Sequence, residues 1–160
     1  MSSPDTLREL TAFLDQNECP YSLLEHEPYH SSEEASRITS VKPEHAAKSL
    51  LYASAGEYAL AVLPASERVS TSKLRRALHT KDVRLALPDD IEQLMGCKIG
   101  TCHPVGRLAG IRTIVDPSLG QSEVIGFSTG DPEHTITMRY VDYERVAIPE
   151  VIEIRSVFAM

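Results

Sequence analysis

The sequence has no tryptophan, only three cysteines, and no apolar run near the roughly 20 residues that span a bilayer. The missing run predicts that no segment crosses a membrane, and residues 1–5 lack the basic and apolar regions of a secretory signal. Cys19, Cys97 and Cys102 are odd in number and unevenly spaced, which argues against a disulfide framework. We therefore expect a cytoplasmic protein with buried or incidental cysteines.

Positive charge is also scarce, because 16 Lys and Arg residues stand against 23 Asp and Glu residues, for a formal net charge of −7. This balance argues against indiscriminate nucleic-acid binding and against a DNA partner, although a local basic patch stays possible. One segment fits such a patch, with Asp82 as its only acid; its basic residues are Arg68, Lys73, Arg75, Arg76, Lys81 and Arg84. Two interpretations stay open for this segment, a solvated surface and a contact for phosphates.

The chain length of 160 residues suits one domain with a proper core. We predict a single domain over residues 1–160, with an N-terminal helix in 1–18 and a C-terminal tail in 150–160. The apolar patterns between them predict several strands with interspersed short helices, including a hairpin that turns at residues 54–57. The expected fold class is α/β, of the α+β type: a mixed curved β-sheet surrounded by short helices.

A lysine stands at the start of one predicted strand, residues 46–52. Leu50, Leu51 and Tyr52 make this strand apolar, and lysine is among the residues least often placed fully in a core. Lys48 must therefore reach the surface with its ammonium group, pair with an acid, or face a polar cavity. Reaching the surface is the ordinary outcome, but the rest of the chain favours the cavity.

The sequence contains no G-x-S-x-G elbow, Walker loop or H-E-x-x-H helix. A zinc site is one alternative, because Cys97, Cys102 and His103 lie close together in sequence. His26 or His30 could complete its tetrahedral ligand set, although no paired C-x-x-C motif accompanies it.

A glycine–proline loop over residues 100–106 offers a different chemistry. Glycines permit backbone angles that direct successive N–H groups at one point, and Pro104 stiffens the loop. Such a loop can bind a phosphate or a developing oxyanion. Most loops of this composition are only turns, so the loop alone does not decide between the two roles.

The order of several motifs is more specific than any one of them. These motifs are residues 29–35, 47–50, 73–74, 100–106, 115–119 and 127–130. Together they resemble the YbaK/prolyl-tRNA-synthetase-associated editing domain family, the free-standing aminoacyl-tRNA deacylases, over almost the whole chain. The resemblance implies hydrolysis of the ester that joins a wrong, small amino acid to tRNA-Pro or a similar tRNA. Such editing adds a second sieve where binding alone cannot reject small side chains.

The resemblance also implies roles for named residues. Lys48 would position the terminal phosphate or the ester as a point charge. Backbone amides at Gly100, Val105 and Gly106, in the loop stiffened by Pro104, would stabilise the oxyanion. Water is the expected nucleophile, since family members in general lack a covalent one, and neither a cofactor nor a metal is implied.

An amino-acid pocket follows from the same resemblance. Its expected residues are Tyr21, Tyr29, Ser31, Ser49, Pro104, Ser128, Gly130, His134 and Thr135. Thr135, with His134 beside it, stands where some relatives carry an acid, which leaves the amino-group contact and the substrate preference open. His134 could equally be a surface strand histidine.

The expected partner is aminoacyl-tRNA, with an aminoacyl-tRNA synthetase as a second candidate. Acceptor-stem phosphates would contact the basic residues Lys73, Arg75, Arg76, Lys81 and Arg84. Two alternatives to the enzyme stay open: a non-catalytic module of the same fold that binds tRNA or a synthetase, and the metal-binding protein considered above.

Overall fold

The computed structural model describes residues 3–157, apart from the side chains of residues 3, 4 and 32. Its helices are α1 (Ser3–Gln16), α2 (Ser32–Thr39), α3 (Thr71–Leu78), α4 (Pro88–Met95) and α5 (Tyr140–Ala147). Its strands are β1 (Ser22–Glu25), β2 (Ala47–Ser54), β3 (Glu57–Pro64), β4 (Val83–Leu85), β5 (Arg112–Val115), β6 (Val124–Ser128), β7 (His134–Arg139) and β8 (Glu150–Val151). Within this part of the chain, no helix has the length and apolar character needed to cross a membrane.

The strands form two sheets, so the mixed α/β class is confirmed, while the single curved sheet of the prediction is divided. The smaller sheet has the order β1-β7-β6 and is antiparallel. The larger has the order β4-β2-β3-β5-β8, with β5 parallel to both of its neighbours. A parallel bridge between Ala46 and Gly126 joins the two sheets immediately before β2.

Glycine is required at this junction. A Cβ atom on Gly126 would lie 2.8 Å from Cγ2 of Val41, closer than such atoms approach in folded proteins. The missing side chain therefore lets the segment that leads into β2 lie directly against β6. The start of β2, which carries Lys48, is thereby held at the boundary between the sheets.

The predicted hairpin is present as β2 and β3, and it lies at the centre of the larger sheet. Ala55 and Gly56 form its turn with φ values of 48° and 84°, the paired positive angles that match the twist of the flanking strands. Leu51, Leu60 and Val62 are buried in the main core. A second, smaller core lies around Leu74 of α3.

Of the predicted C-terminal tail, residues 158–160 lie outside the described chain, and the preceding part is held at the larger sheet, because β8 pairs with β5 and the fully buried Asp116 binds residues that follow β8. Its carboxylate accepts hydrogen bonds from the N–H groups of Ile154 (2.7 Å), Arg155 (2.8 Å) and Ser118 (2.9 Å), and from the Ser118 hydroxyl (2.6 Å). Burial by itself would raise the pKa of Asp116, but these hydrogen bonds outweigh it and lower the pKa.

Replacement of Asp116 by Asn is expected to lower the free energy of unfolding by about 3 kcal/mol, because the amide loses the charge and turns an NH₂ group towards N–H donors. Urea denaturation followed by circular dichroism measures this loss. Asp82→Asn is the matched control, since the Asp82 carboxylate is exposed and accepts a single bond from the Ala55 N–H (3.1 Å). Its expected cost is below about 1 kcal/mol. Equal losses in the two variants would contradict the role given to Asp116.

Candidate active site

A cavity of about 490 Å³ lies where the two sheets meet, within the usual size of small-molecule sites. Its walls come from residues 29–31, one side of α2, the start of β2, the loop 99–102, the end of β6 and the start of β7. The cavity surface is mostly apolar, and its polar side chains belong to Tyr29, His30, Ser31, Ser36, Thr39, Lys48, Ser49, Thr101, Ser128 and Thr135. Of the residues predicted from sequence, the structure brings seven to this cavity: Tyr29, Ser31, Lys48, Ser49, Gly100, Ser128 and Thr135.

Lys48 is half-buried in the wall formed by β2. Within residues 3–157, its ammonium group forms no hydrogen bond or salt bridge. Burial and the positive charge of Arg68 lower the pKa of Lys48, while the negative charge of Glu67 acts in the opposite direction. The structure therefore presents a cation with unused donors to the cavity, the third of the alternatives that the sequence left open.

Ser49 stands next to this lysine and is only 7% exposed. Its hydroxyl is buried, and no described residue offers it a hydrogen-bond partner. The backbone N–H groups of Gly100 and Cys102, on the loop across the cavity, likewise have no acceptor in the described part of the chain. Buried polar groups are normally paired, so the Ser49 hydroxyl and the N–H of the buried Cys102 mark this region as a candidate ligand site, whereas Gly100 is exposed and its N–H is open to water or to a ligand.

The wall on the smaller sheet carries a hydroxyl network. Ser128 of β6 and Thr135 of β7 are paired across the strands, and both line the cavity. The Tyr29 hydroxyl lies 3.3 Å from Ser128 Oγ, and His26 Nε2 lies 2.8 Å from Thr135 Oγ1. The His26 ring also stacks on Tyr29. Sequence reasoning considered His26 only as a metal ligand; its position three residues before Tyr29 was the signal available.

The end of the glycine–proline loop departs from its predicted role. Pro104, Val105 and Gly106 are buried and lie outside the cavity lining. The Val105 N–H donates to Nδ1 of His103 (3.1 Å), and the Pro104 carbonyl accepts from the Tyr143 hydroxyl (2.8 Å). We therefore revise the candidate oxyanion donors from residues 105 and 106 to the N–H groups of Gly100 and Cys102.

Gly106 has a packing role in the structure. A Cβ atom there would lie 2.9 Å from the Ile111 carbonyl oxygen and would overlap the Thr113 side chain. The glycine therefore allows the loop to pack against the start of β5, and this close contact explains its presence without a ligand.

Three other predicted pocket residues also lie away from the cavity. Tyr21 packs against the main core, and its pKa is raised by burial and by Asp15. Gly130 (φ 100°) lies against Thr6 of α1, and His134 binds the Asp131 carboxylate through Nδ1 at 2.9 Å. Since adjacent residues of a strand point to opposite faces, His134 cannot share the direction of Thr135.

The cysteines differ from the expectation of incidental thiols. Cys97 and Cys102 form a disulfide across the loop that lines the cavity, and Cys19 is a buried free thiol. The two sulfur atoms are thus bonded to each other, which removes them from the predicted zinc ligand set. No group of three or more His, Cys, Asp or Glu residues in the described chain is arranged to hold a metal.

The predicted basic segment is only partly available to a ligand. The Lys73 ammonium binds the Glu153 carboxylate (2.6 Å) and the Arg155 carbonyl (2.9 Å), which ties α3 to the C-terminal segment. The remaining members are exposed; they are Arg68, Arg75, Arg76, Lys81 and Arg84.

A family comparison identifies the fold and the chemistry to which this site belongs. Residues 26–146 match the model of the aminoacyl-tRNA editing domain, well over half of the chain. The chain belongs to the aminoacyl-tRNA editing domain family. The matched segment contains every residue that lines the cavity, from Tyr29 to Thr135.

Curated relatives agree with this membership. The chain is 26% identical over 155 residues to the multifunctional Ser/Thr-tRNA deacylase ProXp-y of Escherichia coli K12, covering 94% of this chain and 93% of that protein. It is 22% identical over 148 residues to the prolyl-tRNA editing protein ProX of Acetoanaerobium sticklandii, covering 89% and 90%. A proline–tRNA ligase of Halalkalibacterium halodurans is 31% identical over 106 residues, which are 66% of this chain but 18% of the ligase.

Solved structures share the fold. A candidate trans-editing enzyme for prolyl tRNA synthetase superposes with a TM-score of 0.85 at 17% identity, covering 95% of this chain and 98% of that one. The protein APE2540 superposes with a TM-score of 0.84 at 19% identity, covering 92% and 99%. The predicted family and fold are therefore confirmed. The predicted enzyme class, a hydrolase of the aminoacyl-tRNA ester, is confirmed at the level of the family, whose members named above include deacylases.

The fully enclosed His103 should make stability depend on pH. Burial lowers its pKa from 6.5 to about 4, so between these values the unfolded chain binds a proton that the native protein does not. The free energy of unfolding should therefore fall as the pH drops from 6.5 towards 4, with a loss of about 2 kcal/mol from this group at about pH 5. Urea denaturation at about pH 7 and about pH 5 measures the change.

His103→Asn supplies the comparison, because its amide oxygen can accept the Val105 N–H and does not titrate. Its stability should change less than that of the native protein over the same pH interval. His79→Asn is the control: His79 is exposed and has φ 56°, a conformation that asparagine tolerates. A His103→Asn variant with the native pH dependence would contradict the assignment.

Proposed function

We propose that the chain is a trans-acting editing deacylase that hydrolyses the ester of a mischarged tRNA carrying a small amino acid, on tRNA-Pro or a similar tRNA. The observation that carries the proposal is the half-buried Lys48 in the cavity lining, whose ammonium group forms no hydrogen bond or salt bridge within residues 3–157. The proposed unit is one domain over residues 1–160, acting in the cytoplasm where charged tRNA is used. A synthetase partner would recruit it, as the ligase relative with a related segment suggests.

The proposed reaction needs no protein nucleophile. Water attacks the ester carbonyl carbon, the bond from that carbon to the tRNA 3′ oxygen breaks, and the departing oxygen takes a proton. Lys48 holds the terminal phosphate or the ester in place, and its charge acts strongly because the site is partly shielded from water. The N–H groups of Gly100 and Cys102 are the candidate donors to the carbonyl oxygen as it becomes negative.

The lining supports a small, polar amino acid. Four hydroxyl-bearing residues line the cavity: Tyr29, Ser49, Ser128 and Thr135. A site built from hydrogen-bonding groups rejects analogues that cannot satisfy them, because the buried groups are then left unpaired. We propose a serine or threonine ester as the preferred substrate, in line with the name of the Escherichia coli relative.

Mutation of Lys48 to Met is expected to reduce deacylation at least about 100-fold, because a side chain of similar length is kept while its charge is lost. The measurement is the release of serine, threonine and alanine from tRNA-Pro under single-turnover conditions. Lys42→Met is the matched control, since Lys42 is exposed and does not line the cavity. A folded Lys48→Met variant with native turnover would contradict the proposal. Binding of tRNA without hydrolysis by the native protein would favour the non-catalytic module instead.

The double substitution of Arg75 and Arg76 by Gln is expected to weaken tRNA binding and to flatten its salt dependence. Each lost phosphate contact should reduce the slope of log K against log salt by roughly 0.7–0.9. Filter binding at several salt concentrations gives this slope. Arg8→Gln is the control, because Arg8 is an exposed arginine on α1, outside the basic segment. An unchanged slope in the double variant would indicate that the basic segment is only a solvated surface.

A further inference from the structure

We infer that His26 is a positioning residue: it orients the Thr135 hydroxyl as a hydrogen-bond acceptor towards the cavity, where Thr135 receives the α-ammonium group of the bound aminoacyl ester. This inference rests on the proposed deacylase function and assigns the amino-group contact within it. His26 itself lies outside the cavity lining and acts through Thr135.

The tautomer of His26 follows from its two contacts. Nδ1 lies 2.8 Å from the carbonyl oxygen of Glu27, and a carbonyl oxygen can only accept, so Nδ1 carries the proton. In the neutral ring, Nε2 is then an acceptor. The atom 2.8 Å from Nε2 is Thr135 Oγ1, which must donate its one proton to the ring. The lone pairs of that hydroxyl stay available to a donor in the cavity.

The His26 ring is held in this orientation from a second side. It stacks on Tyr29 with ring centroids 5.7 Å apart and planes 29° from parallel. The Tyr29 hydroxyl contacts Ser128 Oγ at 3.3 Å, and Ser128 is the cross-strand partner of Thr135. The four side chains thus form one connected group, and the ring cannot turn over without loss of its bond to Glu27, to Thr135, or to both.

The charges around the cavity favour one orientation of the bound substrate. Thr135 is 5% exposed and belongs to the smaller sheet, whereas the Lys48 ammonium belongs to the larger sheet. An aminoacyl ester carries one cationic donor, its α-ammonium group, which Lys48 repels. Thr135 is an acceptor on the other sheet and can bind that group, while the carbonyl oxygen and phosphate are attracted towards Lys48. An ester without the amine would leave this acceptor unpaired.

The experiment compares two esters on the same tRNA: seryl, and hydroxypropionyl, which is the same acyl group without its amine. Each kcat/KM is divided by the uncatalysed hydrolysis rate of that ester. The native protein should prefer the seryl ester by about tenfold or more. Thr135→Val and His26→Phe should each lower the normalised kcat/KM for the seryl ester by about tenfold. The normalised kcat/KM for the hydroxypropionyl ester should change by less than about twofold. His26→Phe keeps a ring to stack on Tyr29 while it removes both ring nitrogens, and with them the bonds to Thr135 and to the Glu27 carbonyl.

Two conservative variants test the chemistry separately from packing. Thr135→Ser keeps the hydroxyl, and His26→Gln can place an amide oxygen near Thr135, so both should recover most of the preference for the seryl ester. His79→Asn should behave as the native protein in both assays, because His79 is exposed and outside the cavity.

The outcomes separate this inference from the proposed function. A native protein that is folded but hydrolyses neither ester would overturn both. Suppose instead that the native protein is active and that Thr135→Val and His26→Phe lose activity on both esters to the same extent. That result would overturn only the inference, since it indicates a structural role for the two residues. If Thr135→Val does not fold, the other two variants still test the inference. An unchanged preference for the seryl ester in His26→Phe would overturn it, and so would a lost preference for the seryl ester in Thr135→Ser.

Discussion

The site depends on the junction of the two sheets, where the parallel bridge from Ala46 to Gly126 leads directly into β2. The cavity lies beside this bridge, and the first residues of β2 line it. This geometry accommodates Lys48 and Ser49 in an apolar strand although neither side chain forms a hydrogen bond within residues 3–157. Polar groups left this way cost stability, and such costs are tolerated where a ligand supplies the missing partner.

The two sheets contribute different polar groups to the cavity. The larger sheet supplies the cation of Lys48, and the smaller sheet supplies hydroxyl groups whose orientation is set by His26 and Tyr29. A substrate with a positive amine at one end and a phosphate near the other matches this polarity. The family to which the chain belongs handles such a molecule, an amino acid esterified to tRNA.

Stability and binding are assigned to different polar groups in this fold. Asp116 and His103 are buried and satisfied: the carboxylate accepts several N–H bonds, and the neutral imidazole accepts the Val105 N–H. They fasten the C-terminal segment and the end of the glycine–proline loop. By contrast, the Lys48 ammonium and the buried Ser49 hydroxyl have no hydrogen-bond partner within residues 3–157. Whether a buried polar group has a hydrogen-bond partner therefore distinguishes the residues that stabilise the fold from those available to a ligand, and it does so more clearly than residue type does.

The sequence by itself determined two local elements, the β2–β3 hairpin and the lysine strand. These follow from short-range periodicity and turn residues, which act within a few residues. Only the tertiary structure decided that the sheet divides, that Val105 turns its N–H away from the cavity, and that His26 meets Thr135, 109 residues later in the chain. Such contacts depend on how separate elements pack, and no local pattern encodes that packing.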